Sequence, residues 1–243
     1  MDVYLVRHGE TYSNQNDLVP EVNGELTYRG QQQIDRLAEQ LKGIHFDTIY
    51  ASPLPRTRKT VETVNKYHNL NVNFDHRLED IHLTSWAGKG MKEYKLARAG
   101  CSSGWFNYYR EEDESYVAAY KRVKGFFEDV IENPLNFGQA ILIATHSDVI
   151  KSLIINFLDE QLDFAKKIKV DNAAVVHLSL KYEEPYHKGY RIVFDCPSEK
   201  ISSGGGSESA ESGTGYSYGS SSGSGSEGGS GEDPPATLPF GTF

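Results

Sequence analysis

Short apolar segments alternate with amphipathic segments along the first 200 residues, and this alternation limits the possible folds more than any other sequence feature. The apolar segments predict β-strands, at residues 3–7, 47–50, 72–74, 140–144, 173–180 and 190–194. The amphipathic segments predict helices, at residues 28–43, 55–67, 91–99, 115–131 and 148–158. This order favours one α/β domain, in which helices cover both faces of a mostly parallel central sheet.

The last 43 residues differ in composition from the rest of the chain. Residues 201–243 contain 12 Gly, 12 Ser and five acidic residues, and they contain neither Lys nor Arg. A segment with so little apolar surface does not offset the entropy that is lost when the chain is ordered. We therefore expect a folded domain over residues 1–200 and a disordered, acidic Gly/Ser-rich tail over residues 201–243.

Charge and cysteine content exclude several classes of function. The net charge of −9 leaves −4 for residues 1–200, which argues against a nucleic-acid binder with a basic face. Cys101 and Cys196 are too few and too far apart for a disulfide framework or a zinc site, so we expect no metal or cofactor. The sequence shows neither a leader pattern nor an apolar run that could cross a bilayer. We expect a cytoplasmic protein without a membrane partner, and no feature predicts an oligomeric state.

Polar residues with catalytic potential follow three of the predicted strands. Arg7 and His8 end the first strand, Arg56 comes shortly after the second, and His146 follows the strand at residues 140–144. The carboxyl ends of parallel strands meet at one edge of a sheet, where ligands bind in such folds. The sequence therefore predicts that two guanidinium groups and two imidazoles converge on one site.

These four side chains suit the chemistry of a phosphoryl group. Guanidinium groups match phosphate oxygens in geometry, and their fixed positive charge stabilises a phosphoryl group during transfer. An imidazole that is neutral near pH 7 has a free nitrogen that can attack phosphorus. The combination predicts phosphoryl transfer to a histidine.

Five motifs in matching order resemble the histidine phosphatase superfamily, and within it the phosphoglycerate-mutase-like branch, over roughly residues 3–180. In chain order these motifs are Leu5-Val6-Arg7-His8-Gly9-Glu10-Thr11, Asn14, Leu26-Thr27-x-x-Gly30, Ser52-Pro53-Leu54-x-Arg56 and His146. The resemblance implies a three-layer α/β sandwich of the phosphoglycerate-mutase type.

The resemblance also implies a role for each matching residue. His8 would form a phosphohistidine, and Arg7, Arg56 and His146 would bind the phosphoryl oxygens. Asn14 would line the same pocket. The family further requires a carboxylate that protonates the leaving oxygen and later activates water.

The position of this carboxylate departs from the family pattern. The family usually has Leu-x-Glu-Ile ahead of Trp-x-Gly, and this chain has Leu-Glu-Asp-Ile at residues 78–81 before Trp-Ala-Gly at residues 86–88. The alignment places Asp80 at the acid position. Neighbouring residues on an extended segment face opposite sides, so Glu79 remains the alternative acid and a candidate substrate-binding residue.

Three further features bear on the site. The segment 113–115 resembles a Gly-Glu-Ser step of phosphatase members, which indicates that Glu114 stands near the site. Asp148 stands where the family often has Gly, and an acid there would disfavour highly charged substrates. We interpret Trp105, Tyr108 and Tyr109 as packing residues, with a roof over the leaving group as the alternative.

Three functions are compatible with the sequence. The leading one is a metal-independent phosphomonoesterase that hydrolyses a small phosphorylated metabolite through a phosphohistidine on His8. The first alternative is a cofactor-dependent phosphoglycerate mutase, although the chain lacks the Trp-Asn-x-x-x-x-Phe-x-Gly-Trp stretch of such mutases. The second is a pseudophosphatase that acts as a binding module, which the altered acid position and the long tail motivate. Sugar phosphates, phosphoglycerates, nucleotides and ribazole phosphate all remain compatible as substrates.

Overall fold

The computed structural model describes residues 1–183, 187–195 and 216–218, and its central feature is a single sheet. The strands of the sheet are β1 (Asp2–Arg7), β2 (Thr48–Ala51), β3 (Val72–Phe74), β4 (Ala140–Thr145), β5 (Val175–Glu183), β6 (His187–Asp195) and β7 (Tyr216–Tyr218). Their order across the sheet is β3-β2-β4-β1-β5-β6-β7.

Strand direction divides this sheet into two parts. The pairs β3–β2, β2–β4 and β4–β1 are parallel, whereas β1–β5, β5–β6 and β6–β7 are antiparallel. The parallel part contains the three strands that precede the predicted catalytic residues. The prediction of an α/β fold with a mostly parallel central sheet is confirmed for the five strands β3, β2, β4, β1 and β5, in which only the pair β1–β5 is antiparallel.

The helices are α1 (Tyr12–Gln15), α2 (Tyr28–Leu41), α3 (Pro55–Asn65), α4 (Met91–Ala99), α5 (Tyr116–Phe126) and α6 (Ser147–Leu158). Five of them agree with the predicted helices, although α5 ends earlier because Phe127–Ile131 continues it as a π-helical turn. The short helix α1 was not predicted. Among the described residues, no helix is long and apolar enough to span a membrane.

Alternate side chains of β4 explain why helices cover both faces of the sheet. Ile141 and Ile143 are buried in a core that includes apolar residues of α5 and α6. Leu142 and Ala144 point the other way, into a core that includes residues of α2 and α3. A strand that is buried on both faces needs a helical layer on each side.

The predicted domain boundary and tail fall largely outside the described residues. Residue 200 and residues 201–243 are not described, apart from the three residues of β7. A folded domain over 1–200 with a disordered tail over 201–243 therefore stays a prediction.

Candidate active site

The register of the parallel strands brings the predicted residues to one edge of the sheet. Arg7 is paired with Thr145 across β1 and β4, and Ala51 is paired with Ala144 across β2 and β4. The residues that follow these strand ends, His8, His146 and Ser52, therefore lie close to one another. We call Arg7, His8, Arg56, Asp80 and His146 the site cluster.

The imidazole of His8 is oriented by its own loop. Its side chain is buried, and Nδ1 lies 2.7 Å from the carbonyl oxygen of Gly9. A carbonyl oxygen only accepts hydrogen bonds, so Nδ1 carries the hydrogen and Nε2 keeps its lone pair. Burial, together with the positive charge of Arg56 and the presence of His146 and Arg7, lowers the pKa of His8 well below its ordinary value. His8 is therefore neutral at pH 7, with Nε2 available as a nucleophile.

Two glycines allow helix α2 to pack directly against the His8 loop. A Cβ atom on Gly30 would overlap the carbonyl oxygen of Glu10, and one on Gly9 would lie 2.6 Å from the carbonyl oxygen of Gly30. Thr27 joins the two segments, because its hydroxyl accepts from the Gly30 amide at 2.9 Å and donates to Glu10 Oε1 at 2.8 Å. The Leu-Thr-x-x-Gly motif thus supports the loop that carries the nucleophile.

Arg56 is held by hydrogen bonds on both terminal nitrogens. Nη1 donates to the carbonyl oxygens of Glu21 at 3.0 Å and Val22 at 3.3 Å. Nη2 donates to Oδ2 of Asp80 at 3.1 Å. The Arg56 side chain is only 2% exposed, so its charge acts inside the protein, where screening by water is weak.

His146 precedes α6 and lies beside His8, with 5.1 Å between the ring centroids. Its Nε2 lies 2.9 Å from Oγ of Ser52, and its Nδ1 lies 3.6 Å from Oδ2 of Asp80. A facing carboxylate favours a hydrogen on Nδ1, so we infer that the Ser52 hydroxyl donates to Nε2. Burial, Arg56 and Arg7 lower the pKa of His146 well below its ordinary value. The neutral ring thus directs an N–H donor towards Asp80.

Buried side-chain nitrogens without a partner are concentrated in this site. Five buried side-chain nitrogen or oxygen atoms lack a hydrogen-bond partner within the described part of the chain. Three of them belong to the site cluster: Nε of Arg7, Nε of Arg56 and Nδ1 of His146. A buried donor without a partner costs about 1–3 kcal/mol. The three donors therefore indicate a site that is built for an anion with several oxygens.

The structure brings Asp80, and not Glu79, to the site cluster. The Asp80 carboxylate contacts Arg56 and His146 through Oδ2. The Glu79 carboxylate lies 2.6 Å from Nδ1 of His76 and 2.8 Å from Nε2 of His82, and these imidazoles are 86% and 50% exposed. The alternative in which Glu79 is the acid or a substrate ligand receives no support from this placement. The two neighbours face opposite sides, as the extended segment predicts.

Arg122 on α5 holds the segment that carries Asp80. It donates to the carbonyl oxygens of Arg77, Glu79 and Asp80 at 2.9, 3.0 and 3.3 Å. It also forms a two-pronged ion pair with Glu114, at 2.9 and 2.7 Å. Glu114 was expected near the site. It binds Arg122, which in turn holds the backbone of the segment that carries Asp80. Sequence reasoning missed Arg122, since a charged residue on a helix is common and gives no signal of its own.

Asn14 takes part in a network beneath His8. Its Oδ1 accepts from the amide and hydroxyl of Thr11 at 3.1 and 3.0 Å, and from Nδ2 of Asn172 at 3.0 Å. Asn172 also donates to the carbonyl oxygen of His8 at 3.3 Å. With Oδ1 fully occupied, the amide nitrogen of Asn14 is the group that remains to bind an anion. Asn172 carried no recognisable signal in the sequence.

The site cluster also contains atoms that could in principle ligate a metal ion. Candidate ligand atoms of His8, Asp80 and His146 all lie within 4.8 Å of one another. Burial is the main cause of the lowered pKa of both imidazoles, and the positive charges of Arg56 and Arg7 lower it further; these charges also repel a metal cation. The electrostatics therefore favour an anion at this position.

Comparisons with known proteins agree with this geometry. The family model described as histidine phosphatase superfamily (branch 1) matches residues 3–192. Phosphoserine phosphatase 1 of Hydrogenobacter thermophilus is 30% identical, over 72% of this chain and 85% of that protein. A 2,3-bisphosphoglycerate-dependent phosphoglycerate mutase of Thermoplasma acidophilum is 28% identical, over 73% and 86%. The crystal structure of a putative alpha-ribazole-5'-P phosphatase from Escherichia coli aligns with a TM-score of 0.66 and 25% identity, over 73% of this chain and 89% of that one.

Proposed function

Because the chain belongs to the histidine phosphatase superfamily, we propose that it is a metal-independent phosphomonoesterase that acts through a phosphohistidine on His8. Its substrate is a small phosphorylated metabolite. The observation that carries the proposal is the set of three unpartnered donors, on Arg7, Arg56 and His146, beside a neutral imidazole. Three donors match the three equatorial oxygens of a phosphoryl group in transfer.

In the first step, Nε2 of His8 attacks phosphorus and forms a P–N bond. The bond between phosphorus and the leaving oxygen breaks, and Asp80 gives its proton to that oxygen, so the alcohol departs neutral. The hydrogen bond from Nδ1 of His8 to Gly9 keeps the ring in place while it becomes positively charged. Arg7 and Arg56 balance the charge on the phosphoryl oxygens.

In the second step, water attacks the phosphorus of the phosphohistidine. Asp80, now a carboxylate, accepts a proton from that water, and the P–N bond breaks as the new P–O bond forms. Inorganic phosphate leaves, His8 returns to its neutral form, and Asp80 holds a proton for the next cycle. One carboxylate thus serves as acid and then as base.

Two observations bear on the alternatives. The similarity to a phosphoglycerate mutase supports a variant of this scheme, in which a second hydroxyl rather than water takes the phosphoryl group. The pseudophosphatase hypothesis rested on the altered acid position and on the long tail. The contacts of Asp80 with Arg56 and His146 argue against the first of these two grounds, because a carboxylate stands beside both groups.

A panel of phosphomonoesters with four proteins tests the proposal. We expect the wild type to release phosphate, and His8→Ala to fall to background. Asp80→Asn should lose about 10²–10⁴-fold in kcat, which is the usual contribution of a general acid or base. Glu79→Gln is the matched control, and its activity should stay within about threefold of wild type because the carboxylate contacts other groups.

Two outcomes would overturn the proposal. If Glu79→Gln were crippled while Asp80→Asn kept full activity, the assignment of the acid would be wrong. If 3-phosphoglycerate with a bisphosphate primer were isomerised much faster than any ester is hydrolysed, the protein would be a mutase.

A further inference from the structure

Gly9 supplies the hydrogen-bond acceptor for His8, although glycine is the residue that restrains its own backbone least. Its carbonyl oxygen lies 2.7 Å from Nδ1 of His8, and within the described ranges His8 has no other side-chain hydrogen bond. A larger residue does not fit here, because a Cβ atom would lie 2.6 Å from the carbonyl oxygen of Gly30 and 2.8 Å from Cγ2 of Ile34. Since glycine adopts many backbone conformations, other groups must keep this carbonyl oxygen on the imidazole.

Gln33 on α2 holds the peptide group to which this carbonyl belongs. The peptide group between Gly9 and Glu10 is planar, so its C=O and its N–H turn together. Its C=O accepts from Nδ1 of His8 at 2.7 Å, and its N–H donates to Oε1 of Gln33 at 2.8 Å. A rotation that removed the carbonyl oxygen from His8 would therefore also break the hydrogen bond to Gln33.

Thr60 on α3 holds the preceding peptide group, between His8 and Gly9. The N–H of Gly9 donates to Oγ1 of Thr60 at 3.3 Å, and the Thr60 hydroxyl donates to the carbonyl oxygen of Arg56 at 2.7 Å. Thr60 is completely buried, so water does not take its place. At the other end of this peptide group, the carbonyl oxygen of His8 accepts from the backbone N–H of Ala173 at 3.1 Å. The peptide groups on both sides of Gly9 are thus held by residues of distant elements.

We propose that Gln33 and Thr60 are positioning residues for the nucleophile, because together they keep the Gly9 carbonyl oxygen on Nδ1 of His8. A carbonyl oxygen only accepts, so its position selects the form of the ring with hydrogen on Nδ1 and a lone pair on Nε2. The proposal rests on the proposed function, since this form of the ring matters for the reaction only if Nε2 is the attacking atom.

The hydrogen bond from His8 to Gly9 strengthens as the reaction proceeds. When Nε2 bonds to phosphorus, the imidazole becomes positively charged, and a charged donor forms a stronger hydrogen bond than a neutral one. An interaction that is stronger in the transition state than in the ground state accelerates the chemical step. The hydrogen bond from the Glu10 N–H to Gln33 also polarises the Gly9 carbonyl, which makes its oxygen a better acceptor. Loss of either support should therefore lower kcat more than it changes KM.

The variant Gln33→Met removes the acceptor and keeps a side chain of similar length. We expect kcat to fall about 3- to 30-fold, the difference between a neutral and a charge-assisted hydrogen bond, with KM within about twofold of wild type. Gln33→Glu keeps an acceptor oxygen and should lie closer to wild type. Gln32→Met is the matched control, because Gln32 is the exposed neighbour on the same helix and should keep wild-type activity.

A second pair of variants tests the support from α3. Thr60→Val removes the hydroxyl and keeps the branched shape, whereas Thr60→Ser keeps the hydroxyl. We expect Thr60→Val to lower kcat by a similar factor and Thr60→Ser to recover most of the loss. Should Thr60→Val not fold, the Gln33 variants decide, because Gln33 is only partly buried.

Nitrogen-15 NMR of His8 gives a readout that a loss of stability alone does not change. The chemical shift of an imidazole nitrogen depends on whether that nitrogen carries a hydrogen, so the spectrum reports the form of the ring in the folded protein. We expect hydrogen on Nδ1 in wild type and in Gln32→Met. In Gln33→Met and Thr60→Val, a measurable fraction of His8 should carry the hydrogen on Nε2 instead.

Two results would overturn the proposal. One is a Gln33→Met protein whose kcat matches that of wild type. The other is a lowered kcat without any change in the His8 spectrum, since the residue would then act on stability or on another group. The spectra also separate this proposal from the proposed function. If they change as expected but wild type hydrolyses no ester, the positioning of His8 stands and the phosphatase function fails.

Discussion

Replacing Ser52 by alanine removes the hydroxyl that lies 2.9 Å from Nε2 of His146. Both residues are completely buried, so water does not replace the lost partner. His146 would then distribute between two neutral forms, and one of them presents a lone pair instead of N–H on Nδ1. In that form the ring no longer donates to a phosphoryl oxygen. We therefore expect Ser52→Ala to slow the reaction through its effect on the hydrogen-bonding form of His146.

The size of the effect follows from the loss of this one hydrogen bond. A buried nitrogen left without a partner costs about 1–3 kcal/mol, and 1.36 kcal/mol corresponds to a tenfold change in rate. We therefore expect Ser52→Ala to lower kcat/KM by about 5- to 150-fold. The decrease should appear mainly in kcat, because the phosphoryl oxygens need the donor most in the transition state.

A double-mutant cycle with His146→Ala is the assay. If Ser52 acts through His146, adding Ser52→Ala to His146→Ala should change kcat/KM by less than about twofold. Circular dichroism and thermal unfolding serve as controls for the fold. Fully additive effects of the two changes would show that Ser52 acts independently of His146, contrary to this prediction.

Two further predictions concern pH and the segment that carries the acid. The folded protein keeps His8 and His146 neutral, so the unfolded chain binds more protons below the ordinary imidazole value of 6.5. The free energy of unfolding, measured by urea titration, should therefore fall as pH drops from 7.5 to 5.5. The dependence of this free energy on pH should be weaker in His8→Gln. An equal dependence in both proteins would contradict the prediction. Arg122→Met should impair hydrolysis of alkyl phosphates about tenfold more than that of p-nitrophenyl phosphate, because p-nitrophenolate leaves without a proton from Asp80. Equal losses would mean that Arg122 does not position the acid.

The position of the site was predictable because it depends on a rule of parallel sheets. Arg7 ends strand β1, His8 follows it, and His146 follows β4; residues at the carboxyl ends of adjacent parallel strands lie at the same edge. The pleat of an extended segment also predicted that only one of Glu79 and Asp80 faces the site. Which of the two does so depends on Arg56, which lies 24 residues away along the chain.

Other features were not predictable, since they depend on distant contacts or on weak local signals. Helix α1 has only four residues, and a capping box between Thr11 and Asn14 stabilises it rather than an apolar face. Arg122 and Asn172 act on backbone carbonyl oxygens that the fold brings to them. Sequence periodicity carries no information about such contacts.

Rapid-quench trapping determines whether His8 carries the phosphoryl group during turnover. A wild-type reaction stopped within milliseconds at alkaline pH should contain a phosphorylated protein, with the phosphoryl group mapped by mass spectrometry to His8. Phosphorus NMR should then show attachment at Nε2, because Nδ1 is occupied by the hydrogen bond to Gly9. Sustained phosphate release with no phosphoryl group on His8, or with the group on another residue, would rule out His8 as the nucleophile.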